Sequence, residues 1–298
     1  MPSPSSTLEP PASATLPEMP PGTPTLEQLD ALMAGDFWRE VKSYSDGFLK
    51  KHESALAGYG RHWGEDPMRL WSRRWEYPFS VRGILEHAGR TGRDDLRICD
   101  AGSGVTFLPY LLCDRLPGAT FDCVDTNATY VPMFEAVNKN TPHDRVRFKT
   151  AAIQNLPFAD GELDVMCCVS VLEHTGNYRT ILSEMARVLR PGGRLVLTFD
   201  LSLGGSEKLQ LTPASAKEVF GVIGEQFEAS ADELWAMAEP VYSDATGRLS
   251  TPEMRRRSPE LLPWKYPKLQ AIYDVVRGLG WTGGFRAVAP FCVDVAKR

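Results

Sequence analysis

The chain predicts an α/β fold, a mostly parallel sheet with helices on both faces, preceded by a helical N-terminal segment. Three observations carry that expectation. The stretch LRICDAGSGVT at 96–106 ends an apolar run in an acid and a glycine turn, and TFDCV at 120–124 is a second apolar run that again ends in an acid, Asp125. Residues with helical apolar spacing, Val105 to Leu112, lie between them, so strand and helix alternate.

Taken in order, residues 1–24 hold eight of the 23 prolines together with Ser and Thr, a composition that buries too little apolar area to offset its ordering entropy and reads as a disordered tail. Residues 25–91 turn helical and form an N-terminal cap with a heavy aromatic load, Trp71, Trp75, Tyr77 and Phe79 among them. Residues 92–298 form the core domain, with strands expected near 96–100, 120–124, 145–149, 163–169 and 194–200 and helices between them. Beyond these come a helix at about 213–227, an irregular stretch rich in Pro and charge, a helix near 267–279 and a last strand around 287–296. The polar insertion at about 238–281, with Trp264 and Tyr266, is expected to act as a lid before that strand.

The first glycine turn is built to approach a ligand. Glycine admits backbone angles and contacts that a side chain would block, and the following helix presents free amides. A dinucleotide fingerprint needs a third glycine where this chain has Phe107, and Asp100 stands where a pyrophosphate would be repelled. A carboxylate there suits a ligand that carries an ammonium and a sulfonium. Asp125, about twenty residues further on, has the spacing of an acid that accepts ribose hydroxyls, although strand-end aspartates also cap helices.

Composition excludes several classes. With 298 residues and 43% hydrophobic content the chain is an ordinary globular protein. A net charge of -5, with its one dense basic cluster at Arg255–Arg257, offers no broad surface for a phosphate backbone, so no nucleic-acid partner is expected. The six cysteines fall mostly inside expected strands and read as small core residues of a reducing compartment; no metal site is expected. No signal segment and no membrane span are visible, which makes the cytoplasm the expected location.

Four ordered segments resemble the class I S-adenosylmethionine-dependent methyltransferases, especially the group that includes ubiquinone and menaquinone biosynthesis methyltransferases. They are DAGSG at 100–104, Asp125 closing the second strand, LPFADGELDVMCCVSVLEH at 156–174 and EMARVLRPGGRLVLTFD at 184–200. The resemblance implies a Rossmann-like sheet of seven strands and S-adenosyl-L-methionine as cofactor. It also implies that Asp100, Ala101, Gly102, Ser103, Gly104, Asp125, Thr126, Ile153, Gln154 and Ser170 border that cofactor. Two departures stand out: Thr106 replaces a small glycine, and Ala151 and Ala152 occupy the place of an acid expected to hold the adenine amino group.

The reaction implied is in-line methyl transfer to a small-molecule acceptor, most simply O-methylation of a specialised metabolite or sugar. An N- or C-methyltransferase, a noncatalytic cofactor-binding protein and a nicotinamide oxidoreductase are the alternatives. Glu173 and His174, after the fourth strand, are the candidates for taking an acceptor proton, His174 being preferred for its ordinary pKa near 6.5; helix initiation is their plain structural reading. Trp75 and Tyr77 are the candidates for lining an acceptor pocket, while packing of the helix is the simpler role for most such aromatics. His52, His62, His87 and His143 read as surface residues.

Overall fold

The structure, a computed structural model, describes residues 16–59, 67–142, 144–204, 210–263, 267–276 and 285–298. Among these a six-stranded sheet has the order β3-β2-β1-β4-β5-β6, with β1 Arg97–Ala101, β2 Thr120–Asp125, β3 Val146–Thr150, β4 Leu163–Val169, β5 Leu189–Ser202 and β6 Val288–Ala296. The first five strands are parallel, and β6 pairs antiparallel with β5 from Arg194↔Ala296 to Ser202↔Val288. Six strands are what the apolar runs themselves mark. The seventh, expected from resemblance alone, has no counterpart among the described residues, because the chain between β5 and β6 is helical there.

Alternation along the strands divides the core into two layers. Ile98, Phe121, Val165 and Val196 face one side with the N-terminal helices, α5 Leu108–Arg115 and α6 Val131–Asn138. Cys99, Met166, Leu195, Leu197 and Phe199 face the other with α7 Tyr178–Val188, α8 Pro213–Gln226 and α9 Ala231–Ser243. Burial of both faces explains why the strands read as unbroken apolar runs. The six cysteines are free and buried, as small core residues should be.

The helical cap is α1 Leu26–Ala34, α2 Asp36–Lys51, α3 Glu53–Leu56 and the long α4 Arg73–Thr91. Thr25 and Gln28 form a capping box that starts α1. α4 lies against the sheet because Gly83 lets it approach: a Cβ at that position would stand 3.1 Å from Val196 Cγ2. His52 and His87, read as surface residues, are buried in this cap at 2% and 3% exposure, since helix packing covers them from both sides.

Three further expectations change. The tail read as disordered to residue 24 is packed from residue 16 onward, with Met19 buried and Gly22 and Cys292 exchanging hydrogen bonds of 2.8 and 3.0 Å with each other; residues 1–15 lie outside the described residues. The stretch after residue 227, read as irregular, forms α9 and α10 Thr251–Arg257, each begun by a Ser-x-x-Glu cap in which Ser230 and Ser250 accept from Glu233 N and Glu253 N. The segment expected as a lid is partly built into the body: Leu249, Ser250 and Thr251 are buried, and Thr251 Oγ1 accepts from Val288 N at 2.9 Å. Its α11 spans Pro267–Val276, while Trp264, Tyr266 and Trp281 lie outside the described residues, as do His62 and His143.

Candidate active site

The carboxyl ends of β1, β2, β4 and β5 converge on one cavity, at the point where the strand order reverses between β1 and β4. After β1 the chain turns at Gly102 (φ 72°) and Gly104 (φ 52°), angles that a side chain adopts only under strain. Gly102 N and Ser103 N both donate to Val124 O, at 2.7 and 3.1 Å, so the turn hangs from the end of β2. Asp125 holds the same turn: one carboxylate oxygen accepts from Gly104 N at 3.2 Å and the other from Asn127 N at 3.0 Å.

The cavity measures about 510 Å³. Asp100, Gly102, Ser103, Gly104, Asp125 and Ser170 line it, as do Glu173, His174 and Tyr77. Five expected residues are not on its wall. Ala101 is buried inside β1, Thr126 and Gln154 point to solvent, and Ile153 packs in the second core layer. Trp75 is 1% exposed and belongs to the first core layer, because α4 turns residues 73 and 77 toward the cavity and 75 away from it.

Two residues of the site were not singled out from the sequence, Asp200 on the wall and Glu76 behind it. Arg73 and Glu76 form a buried ion pair on α4, and Glu76 also accepts from Ser170 Oγ at 2.6 Å and from Thr198 Oγ1 at 2.8 Å. That bond set explains the strained φ of 50° at Ser170, which the helix cap locks in place. Thr106 lines the cavity with an unpaired buried hydroxyl. Asp200 closes β5 as Asp100 closes β1, and an acid ending an apolar strand was the signal that could have found it.

Electrostatics sorts these acids into two kinds. Burial alone would raise Glu76, but the Arg73 guanidinium and the hydroxyls of Ser170 and Thr198 outweigh it and hold the carboxyl below its usual range. Asp100 is pushed up to about 7, first by burial and then by the charge of Asp125, against a hydrogen bond from Cys167. Asp200 also rises to about 7, through burial and the Glu76 charge, with Arg73 and Arg286 opposing. Glu173 goes well above the carboxylate range through burial and the charge of Asp200, against a hydrogen bond from its own backbone, and neither of its oxygens has a side-chain partner. His174 is lowered to about 4 by the protein packed around its ring and by Arg73 and Arg286, although the residue keeps an exposed edge at the cavity mouth.

Residues 99–197 match the family model described as a methyltransferase domain. The core of this chain is a class I S-adenosylmethionine-dependent methyltransferase domain. This domain is 36% identical over 112 residues to the human thiol S-methyltransferase TMT1A, covering 37% of this chain and 44% of that protein. Similarity to the demethylmenaquinone methyltransferase of Thermus thermophilus is 35% over 104 residues, 34% of this chain and 46% of that protein. The methyltransferase GfsG of Streptomyces halstedii is 32% identical over 134 residues, covering 41% and 48%. The chain thus spans less than half the length of these relatives.

The cofactor of the methyltransferase domain is S-adenosylmethionine, and the residues present fit it. Asp100 is a carboxyl 3% exposed at the cavity wall, lifted toward neutrality by burial and by the charge of Asp125, and an ammonium group beside it would favour its ionised form. Tyr59 marks how closely the turn is approached: its hydroxyl accepts from Val105 N at 3.0 Å and would lie 2.2 Å from a Cβ added at Gly104. No group of three or more potential metal ligands is found among the described residues. No helix among them is long and apolar enough to cross a membrane.

Proposed function

We propose that the chain transfers the methyl group of S-adenosylmethionine to an oxygen of a small uncharged metabolite, acting in the cytoplasm and without nucleic acid. The observation that carries this reading is the shared cavity: the turn that fits the cofactor and an acidic wall, Glu173 and Asp200, face the same space. When bound, the cofactor supplies a methyl carbon on a sulfonium, whose displacement needs no acid on the leaving group. Asp100 is placed to hold the ammonium end and Asp125 the ribose, with Ser103 and Thr106 beside them. Ile153 and Gln154 remain the proposed border of the adenine ring, on the segment that follows β3.

The protein's contribution is placement. Holding acceptor and methyl group in line is worth about 7–11 kcal/mol of barrier when the geometry is right. α4 supports that placement from outside the domain, since the Arg73–Glu76 pair fixes Ser170 and Tyr77 stacks edge-on against Phe107 at 5.1 Å. Phe107 itself is 1% exposed in the position where a dinucleotide site needs glycine, which disfavours the oxidoreductase alternative.

Incubation of the full chain with methyl-labelled cofactor and a protein-free cell extract tests the reading. Label is expected in a low-molecular-weight product. Label only in macromolecules, or none above a heat-killed control while the cofactor still binds, would contradict it.

A further inference from the structure

Resting on that reading, we infer that Glu173 and Asp200 form a two-carboxylate subsite that receives the acceptor hydroxyl, takes its proton and turns away acceptors carrying a carboxylate or phosphate. Both side chains line the cavity, one from the turn after β4 and one from the end of β5. Glu173 is 2% exposed, and its carboxyl, met only by its own backbone N–H, and Oδ1 of Asp200 have no side-chain hydrogen-bond partner. Buried acceptors short of donors are costly, at about 1–3 kcal/mol each, so a site that keeps them is built to meet a donor from outside.

The groups facing this pair favour a shared proton. From α4 come Arg73 and Glu76, locked to one another; Arg286, ahead of β6, and His174 stand on the remaining side. With Arg73 engaged by Glu76, two like carboxyls in one dry space do not both ionise readily, and one stays protonated near neutral pH. The ionised member accepts the acceptor's O–H, while the protonated member donates to the same oxygen or a neighbouring one. As the oxygen's lone pair forms its bond to the methyl carbon, the carbon–sulfur pair stays on sulfur and the hydroxyl proton passes to the ionised carboxylate, later to leave to water. His174 is the weaker proton acceptor here, because its pKa is lowered and those of the carboxyls are raised toward neutrality. An anionic acceptor would meet the like charge of the ionised carboxylate of this pair on the same wall.

Three measurements on the full chain test this. Infrared titration of the protein without cofactor should show a protonated-carboxyl band at pH 7 that Glu173→Gln weakens, Asp100 and Asp200 supplying the remainder, and Asp200→Asn should lower the pH at which the Glu173 part disappears. Glu173→Gln and Asp200→Asn should each cut turnover into the extract product by about 100-fold or more, with the double variant little worse than the poorer single. The labelled product should pass an anion-exchange column unretained. A band at pH 7 that Glu173→Gln leaves unchanged, either variant turning over at the wild-type rate, or label confined to retained anions overturns the subsite. S-adenosylhomocysteine binding to the wild type separates this from failure of the methyltransferase reading: its absence sinks that reading, whereas binding with unaffected variants sinks the subsite alone. The infrared result decides the shared proton in either case.

Discussion

At the scale of single residues, the acids at the strand ends do different work although they look alike in sequence. Asp125 holds the glycine turn through two backbone hydrogen bonds and is in addition the proposed ribose acceptor. Asp100 is buried and raised to about 7, which gives cofactor binding a pH dependence of definite sign. Binding a cation favours the ionised acid; affinity for S-adenosylhomocysteine, which keeps the ammonium, should therefore rise as pH increases through about 7 and level off above it. Calorimetry between pH 5.5 and 8.5 reads this directly, and Asp100→Asn should flatten the profile while lowering affinity. A wild-type affinity that falls over the same interval would contradict the role given to Asp100. Asp100 and Asp125 stood out in the sequence because each ends an apolar run, Asp100 directly before the glycine turn. Asp200 sends the same signal at the end of VLTFD, but no glycine turn follows it, so the pattern drew no attention.

At the scale of elements, α4 is the part whose function the sequence concealed. Its apolar and aromatic residues announce packing, yet its first turn carries the charged pair that reaches across to β4 and β5. Which face of a helix meets a site depends on tertiary placement, and that is why Tyr77 reaches the cavity and Trp75 does not. The ion pair makes a strong energetic prediction. Arg73→Met would leave Glu76, fully buried, without its counter-charge, and breaking such a pair costs about 3–5 kcal/mol. Adding Glu76→Gln should restore much of that loss in urea denaturation, since it removes the uncompensated charge; a double variant no more stable than Arg73→Met would refute the account. The helices α9 and α10 teach a related lesson. Pro240 and a run of charges hid them, but the Ser-x-x-Glu caps at Ser230 and Ser250 were present in the sequence. Ser230→Ala should lower stability by about 1 kcal/mol through loss of the cap alone.

At the scale of the whole molecule, the six strands and the helical character of the cap were legible because both follow from apolar periodicity, whereas the seventh strand, expected from resemblance, is not found among the described residues. The packing of residues 16–24 was not legible, since proline content says nothing about the main-chain pairing of Gly22 with Cys292 that draws the segment onto β6. Removal of residues 1–24 should therefore lower the melting temperature through the loss of Met19 and that pairing, which differential scanning calorimetry would show. The buried acids also set how stability of the cofactor-free protein responds to pH. Asp100 and Asp200 have folded pKa values raised to about 7 above unfolded values near 3.8, so their contribution is fully present below pH 4 and is lost as pH rises through 7. Asp200→Asn should flatten that decline in denaturant titrations run between pH 5 and 8.

The turn between β1 and α5, closed by Asp100 and Asp125, is where everything else is anchored. Titration of the full chain with S-adenosylhomocysteine in a calorimeter, repeated on Asp125→Ala, tests it most directly. The expected result is a single site whose affinity falls at least about tenfold in the variant, since hydrogen bonds to a charged group contribute roughly 1.5–3 kcal/mol each. Absence of binding in the wild type, or equal affinity in the two proteins, would contradict the assignment.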